Sequence, residues 1–238
     1  MSTDTPTTPP LPETWPVLSA LDRRLLGVLV EKAKTTPDTY PLSLNALATG
    51  CNQKSNRDPV LNLSEEETED ALTRCQKRLL VFKITGGRVE RWRHNLYDAW
   101  QVDKVEVAIL AELLLRGPQT EGELRPRVSR MEPIDDLDAL RSALQPLVQR
   151  NLVLYLTPQG RGAVVTHGFH DPHELEQIRV QVTAQPVSIP VPHAPPELSE
   201  LATVQAELAA LKQVVTELQA NVARLGGELG RLKQSLGA

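Results

Sequence analysis

Residues 52–57 are six consecutive polar residues, Asn-Gln-Lys-Ser-Asn-Arg. Each of these side chains can donate a hydrogen bond to a phosphate oxygen or a base edge, and Lys54 and Arg57 add positive charge. The same residue types also bond to nearby backbone groups and hold long loops in shape. The pattern therefore leaves two interpretations open: a nucleic-acid-binding loop that uses Lys54, Asn56 and Arg57, or an ordinary connection between helices.

A second basic segment follows about thirty residues later. Its cationic residues are Lys83, Arg88, Arg91, Arg93 and His94. If residues 91–94 form a strand, Arg91 and Arg93 share one face, because side chains alternate along a strand. The sequence predicts that Arg88, Arg91 and Arg93 contact nucleic acid, while a solvated strand face paired with acids elsewhere remains the alternative.

The remaining patterns favour no catalytic or metal chemistry. His167, His170 and His173 have a spacing that zinc ligands can show, but Gly168 and Pro172 argue against a regular helix there and no cysteine is near. We therefore expect a solvated domain end at these histidines. Without a Ser/His/Asp arrangement, a phosphate-binding glycine loop or a CxxC pair, the sequence predicts a non-enzymatic protein with no cofactor and no metal.

Composition limits the class of protein. The net charge of −4 does not favour a polyanion binder, although a local basic face can coexist with an acidic total. Cys51 and Cys75 fall at apolar helix positions, which favours buried thiols in a reducing compartment over a disulfide bridge. The first residues carry no basic, apolar leader, and the apolar run at 25–30 is too short to span a bilayer. We expect a soluble, cytoplasmic protein with no membrane partner.

An internal repeat indicates the elements that position these residues. A helix and the β-like stretch after it occur twice, 72 residues apart. The first copy contains Ala71, Leu72, Cys75, Arg78, Leu80 and Val81, and the second copy has Ala143, Leu144, Leu147, Arg150, Leu152 and Val153 at the equivalent positions. Ser64 and Asp136 are the matching helix N-caps, and Glu67 completes a capping box with Ser64. Upstream helices match with offsets of 84 and 77 residues, so each copy reads as helix, short helix, helix and two strands.

Three helices and a hairpin are the arrangement of a winged helix. Gly86–Gly87 predicts a two-residue turn in the first hairpin, and the third helix of the first copy would start at Ser64. The first turns of this helix carry five carboxylates. In DNA-binding helix-turn-helix proteins the equivalent residues contact the bases, and carboxylates there would repel the phosphates. If nucleic acid binds, residues 65–70 should therefore face away from the duplex.

Two stretches of the sequence resemble a known bacterial family. "LDRRLLGVLVEKAKTTPDTYPLSLNALATGCNQKSNRDPVLNLSEEETEDAL" looks like the start of the YceH-like family, whose most specific motif here is the run Cys51–Pro59. The downstream "VEVAILAELLLRGPQTEGELR" also fits. The resemblance covers residues 17–170 and implies two tandem winged helices, but no activity. The prolines and the final helix depart from that pattern and look like additions.

The last forty residues show a heptad pattern. The apolar seam alternates steps of three and four through Leu201, Val204, Leu208, Leu211, Val215, Leu218, Val222, Leu225, Leu229 and Leu232. Glu207 and Glu228 fall at g, with Lys212 and Lys233 at the following e, which suits a parallel pair of helices. The pattern predicts a coiled coil that makes the protein a parallel homodimer; a helix folded back on its own domain is the alternative.

We therefore expect a mainly α protein with small β-hairpins (α+β), in which two tandem winged-helix domains precede a C-terminal coiled-coil helix. The predicted segments are a disordered arm (1–16), the two winged-helix domains (17–101 and 102–175), a proline-rich linker (176–197) and the coiled coil (198–238). The predicted function is a dimeric nucleic-acid-binding protein of transcription-regulatory type, with double-stranded DNA as its partner. The alternative is a protein–protein interaction scaffold whose acidic helices face basic partners.

Overall fold

The computed structural model describes residues 15–87 and 89–184, a helix-rich α+β fold with two small antiparallel sheets. Its first half contains α1 (Ala20–Thr35), a 3-10 turn (Pro37–Thr39), α2 (Leu44–Cys51), α3 (Glu65–Lys77), β1 (Val81–Ile84) and β2 (Arg91–His94). Short α4 (Leu96–Trp100) leads to the second half, which contains α5 (Lys104–Arg116), β3 (Gln119–Thr120), α6 (Glu121–Val128), α7 (Leu137–Gln149), β4 (Val153–Tyr155) and β5 (Val164–His167). Helix α8 (Pro172–Ala184) follows. The predicted α+β class and the repeated element order are confirmed.

The helix starts repeat with the offsets seen in the sequence. Ser64 caps α3 and Asp136 caps α7, each accepting a hydrogen bond from the backbone three residues on, and the Ser64–Glu67 capping box is present. Ser43 and Thr120 cap α2 and α6 in the same way. Since a capping side chain satisfies backbone N–H groups that the helix leaves unbonded, these positions mark where each helix begins.

The first hairpin differs from the prediction. Pairing between β1 and β2 ends at Ile84 opposite Arg91, so the connection is residues 85–90 and not a two-residue turn at Gly86–Gly87. An ion pair between Lys83 and Glu90, with 2.6 Å between nitrogen and oxygen, joins the base of this longer loop. In the second sheet, β5 lies between β3 and β4. Strand β3 has only two residues, too few to produce an alternating pattern in the sequence.

One continuous hydrophobic core serves both halves. Helix α1 is buried along residues 22–31 because α2 and α3 pack on it from its own half and α5 packs on it from the other. Gly27 permits the close approach, since a Cβ there would lie 2.8 Å from Cγ of Leu115. The ranges predicted as separate domains, 17–101 and 102–175, therefore pack as one compact body.

Both ends of the predicted domain pair need correction. Trp15, assigned to the disordered arm, is half-buried and its indole N–H donates to the carbonyl of Arg150 over 2.6 Å. Residues 176–184 were assigned to the extended linker but belong to α8. This helix begins at Pro172, and proline is tolerated in the first helical turn. Residues 1–14, Arg88 and 185–238, which include the predicted coiled coil, lie outside the described residues. Within residues 15–87 and 89–184, no helix is long and apolar enough to cross a membrane.

Candidate nucleic-acid interface

The polar loop at 52–59 is held against the protein by Arg57. The Arg57 side chain is 0% exposed and forms a two-pronged ion pair with Glu31 of α1, with nitrogen–oxygen distances of 2.6 and 3.1 Å. Its Nε also donates to the carbonyl of Gly50 over 3.2 Å. Arg57 was predicted to contact nucleic acid, but in this structure its guanidinium is enclosed by protein. The loop folds it inward because Glu31 offers a buried counter-ion.

The same loop connects the two halves. The backbone N–H of Asp58 donates to the carbonyl of Leu115 over 3.0 Å, and Asn56 accepts a hydrogen bond from the Arg116 guanidinium. Asn56 has a left-handed backbone (φ 59°), a conformation that asparagine tolerates better than most residues. Asn56 is therefore part of the junction with α5.

Two further contacts shape the loop. Asn52 closes it by exchanging two hydrogen bonds with the backbone of Leu63, over 2.6 and 2.8 Å. Arg24 of α1 donates to the carbonyls of Cys51 and Pro59 over 3.1 and 2.6 Å. Of the three predicted nucleic-acid contacts here, only Lys54 is exposed. Most of the polar residues in this stretch thus hold a structural connection.

The two cysteines flank this region as buried thiols. Cys51 and Cys75 are free, and burial raises the pKa of each to about 12. Both therefore remain protonated at neutral pH and pack as small apolar side chains. The prediction of buried thiols is confirmed.

Strand β2 has the face predicted for it. Arg91 and Arg93 are exposed, whereas Trp92 and His94 point into the core. Arg91 donates to the carbonyl of Pro41 over 2.8 Å, and the Arg93 guanidinium lies 5.2 Å from the centre of the Phe82 ring.

His94 does not belong to the basic set. Burial, followed by the nearby charges of Lys34 and Arg93, lowers the pKa of His94 to about 4. The ring is therefore neutral at physiological pH. The prediction that His94 contributes positive charge beside Arg91 and Arg93 is wrong, because the strand's alternation turns it into the core.

A groove of about 550 Å³ lies between α2, α3 and the β1–β2 hairpin. Its lining combines apolar and acidic side chains: Ser43, Leu44, Asn45, Glu65, Glu69, Val89, Glu90 and Trp92. Glu65 is oriented by a 2.8 Å hydrogen bond from the Asn45 amide. The acidic start of α3 therefore faces the groove beside the hairpin.

The second half has a groove at the corresponding place. It occupies about 390 Å³ and is lined by Glu121, Arg141, Gln145, Val148, Gln149, Tyr155, Gln159 and Gly160. The repeat offsets bring Arg141 to the position of Glu69 and Glu121 to that of Leu44. The buried Glu121 carboxylate accepts hydrogen bonds from Arg141 (2.8 Å) and from the Tyr155 hydroxyl (2.7 Å). Charge is thus balanced in this groove and negative in the first.

Three arginines that the sequence analysis missed lie near Glu112, next to the polar loop. Arg116 lies in the last turn of α5, Arg127 in the last turn of α6, and Arg130 just beyond it. Arg116 and Arg130 approach the two carboxylate oxygens of Glu112 at 2.9 and 3.5 Å. Nothing in their spacing connects them with the loop, because these distant segments meet only where α5 packs against both α1 and α6.

The histidines at the end of the second half form a packed junction. His167 and His170 are buried, and their rings stack with centroids 3.9 Å apart. His170 is within 3.1 Å of an Arg23 nitrogen, and Arg23 also pairs with Glu174 at 2.5 Å. The prediction of a solvated end is wrong for His167 and His170, because α8 folds back toward α1 and covers them. Across residues 15–87 and 89–184, no three His, Cys, Asp or Glu side chains are grouped to hold a metal ion.

Comparison with known proteins identifies the family. Residues 18–162 match the family described as "Protein of unknown function, DUF480". A UPF0502 protein of Rhodopirellula baltica is 48% identical over 176 residues, covering 74% of each chain. UPF0502 proteins of Paraburkholderia phymatum and Delftia acidovorans are 40% and 37% identical over 90% and 95% of this chain.

These alignments bear on two predictions. The matches to the Paraburkholderia and Delftia proteins extend over 89% and 95% of those chains, so both relatives align with this chain beyond residue 175, in the segment that was interpreted as an addition. The resemblance to a YceH-like family of bacterial proteins is confirmed. This chain belongs to the DUF480/UPF0502 family.

Proposed function

We propose that this protein is a non-enzymatic interaction protein made of two winged-helix modules, and that the first module binds a basic segment of a partner protein. The winged-helix assignment is supported by three helices followed by an antiparallel hairpin in each half, with helix caps at matching positions. The partner class follows from the chemistry of the groove between α3 and β2.

The observation that carries the proposal is the charge of that groove. Glu65 and Glu69 line the place where a winged helix would receive a nucleic acid, beside Glu90, whose charge is paired with Lys83. Carboxylates there repel phosphates and attract lysine or arginine. Leu44 and Val89 add apolar surface, and Val89 is 56% exposed. A segment that carries both basic and apolar side chains matches this lining.

A peptide titration tests the proposal. The probe is a synthetic peptide of alternating lysines and leucines, with a glutamate–leucine peptide as the opposite-charge control, and isothermal calorimetry measures binding to the full chain at low salt. We expect the basic peptide alone to bind. Removing two groove charges in Glu65→Gln/Glu69→Gln should weaken binding by about tenfold, since exposed charge pairs contribute about 0.7 kcal/mol each and about 1.4 kcal/mol corresponds to tenfold in affinity.

The matched control uses acids on the same helix that do not line the groove. Glu66→Gln/Asp70→Asn removes the same net charge from α3 and should leave peptide affinity within about twofold of the unaltered protein. Equal weakening in both double variants would show that net charge, and not the groove, attracts the peptide. Absence of binding by the basic peptide would also remove support for the proposal.

Nucleic acid is the second candidate ligand, favoured by the exposure of Arg91 and Arg93 on one face of β2 and of Lys54 in the loop. In that case affinity for duplex DNA should fall steeply with salt, since each neutralised phosphate releases counterions. Charge reversal in Arg91→Glu/Arg93→Glu should weaken binding to all sequences and flatten the salt dependence. Binding no tighter than about micromolar at low salt, unchanged in that variant, would leave the protein partner as the better proposal.

A further inference from the structure

We propose that Arg116, Arg127 and Arg130 form an anion site that binds a phosphate group. The site lies where the polar loop at 52–59 meets the ends of α5 and α6, away from the groove between α3 and β2. It rests on the arrangement of these three side chains around Glu112 and does not depend on the proposed protein partner.

Positive charge exceeds negative charge at this place. Arg116 and Arg130 both pair with the carboxylate of Glu112, whose side chain is only 1% exposed, and Arg127 lies close enough to act on it electrostatically. A second carboxylate, Glu123, stays 3.7 Å from Arg127 and is itself half exposed. The neighbouring Arg57 is paired with Glu31, so these two residues together add no net charge. The ion pairs within the protein therefore leave an excess of positive charge, which a bound anion would neutralise.

The excess of positive charge also affects the protonation of Arg116 within the cluster. Burial lowers the pKa of Arg116, and the positive charges of Arg127, Arg130 and Arg57 lower it further against the opposing effect of Glu112. An anion placed among these groups would offset the repulsion between the arginine side chains. Phosphate suits the place because arginine presents paired N–H donors that match two phosphate oxygens at once.

The arginines are also held in position and open to solvent. Arg127 donates to the Gln119 side chain over 2.5 Å, and Arg130 Nε donates to the Arg127 carbonyl over 3.3 Å. Their side chains nevertheless remain 31% and 44% exposed. Donors that are already oriented lose little conformational freedom on binding, which raises affinity. The exposed Lys54, two residues before Asn56, can add a further charge from the loop.

The ligand chemistry is therefore a phosphate group, carried either by a nucleic-acid backbone or by a small phosphorylated molecule. Pyrophosphate is a suitable probe because it contains only the shared chemistry. Calorimetric titration of the full chain at low salt should detect pyrophosphate binding. In Arg127→Gln/Arg130→Gln we expect affinity to fall by about tenfold or more, since hydrogen bonds to charged groups are lost.

The control variant is Lys77→Gln/Arg179→Gln, which removes two exposed positive charges from α3 and α8 and should bind pyrophosphate as the unaltered protein does. Circular dichroism confirms that both variants are folded. Pyrophosphate binding weaker than about 10 mM, or equal losses in the two variants, would overturn the proposed site.

Competition then distinguishes the two sources of phosphate. A short DNA duplex that displaces pyrophosphate, and that binds more weakly to Arg127→Gln/Arg130→Gln than to the control variant, supports the site with nucleic acid as its ligand. Pyrophosphate binding that the duplex leaves unchanged supports the site with a small phosphorylated molecule as its ligand.

Discussion

Replacing Arg57 should destabilise the whole protein, because its charge neutralises Glu31 in the interior. Arg57→Met keeps much of the side-chain volume but leaves the Glu31 carboxylate, only 11% exposed, with no closer cation than the Lys32 ammonium at 3.9 Å. Removing one member of a buried ion pair costs about 3–5 kcal/mol in the free energy of unfolding. The carbonyl of Gly50 also loses a donor. For a body of this size the loss corresponds to a fall in Tm on the order of 10 °C.

Urea unfolding of the full chain, followed by circular dichroism at pH 7, measures this difference. The double variant Arg57→Met/Glu31→Met should recover much of the stability, since replacing both charges removes the unpaired carboxylate. Lys54→Ala is the matched control in the same loop. Because Lys54 is exposed, its removal should change the free energy of unfolding by no more than about 0.5 kcal/mol.

The reasoning fails if Arg57→Met lowers the free energy of unfolding by less than about 1 kcal/mol, which is typical of surface pairs. It also fails if the double variant is less stable than the single one. Either outcome would mean that Glu31 is well solvated in the folded protein, so that the loop has little role in joining α1 to the rest of the fold.

Three other predictions address pH, packing and assembly. The pKa of His94, about 4, lies below its ordinary value of 6.5, so the unfolded chain gains a proton that the folded protein does not. Stability should therefore fall as pH falls, by about 2 kcal/mol between pH 7 and pH 5 from this residue, and urea unfolding of His94→Asn should show a correspondingly smaller pH dependence. Gly168→Ala would place a Cβ 1.9 Å from the carbonyl oxygen of Asn151 and should cost at least about 2 kcal/mol by the same assay, whereas Gly122→Ala, with open space around it, should cost nothing. Deleting residues 197–238 should convert a dimer to a monomer without unfolding the globular part, and a truncated chain that light scattering finds dimeric would contradict the predicted coiled coil.

Local chemistry accounts for what could be read without a structure. Helix starts at Ser64 and Asp136 were predictable because N-caps satisfy backbone groups within three residues of themselves. The shared face of Arg91 and Arg93 followed from the alternation of a strand. The burial of Cys51 followed from its apolar position on a helix. Each of these features depends on neighbours a few residues away, so a single segment contains the necessary information.

Features that join distant segments were decided only by the tertiary structure. Nothing near Arg57 in the chain shows that Glu31 will be its partner, and the loop's donors would suit phosphate equally well if that partner were absent. The same holds for His170, which the fold covers with Arg23 and Glu174 from two different helices.

Charge patterns also divide into those that the sequence determines and those that only the fold determines. The sequence by itself determined the repeat, the helix caps, the family and the acidic start of α3, because each is a property of residue type and local spacing. The packing of α1 against α5 decided that the loop's arginine is buried and that three arginines from the second half gather beside it. Electrostatic interactions act through space and weaken with distance, not with separation along the chain, so only the folded arrangement determines which charges remain available to a ligand.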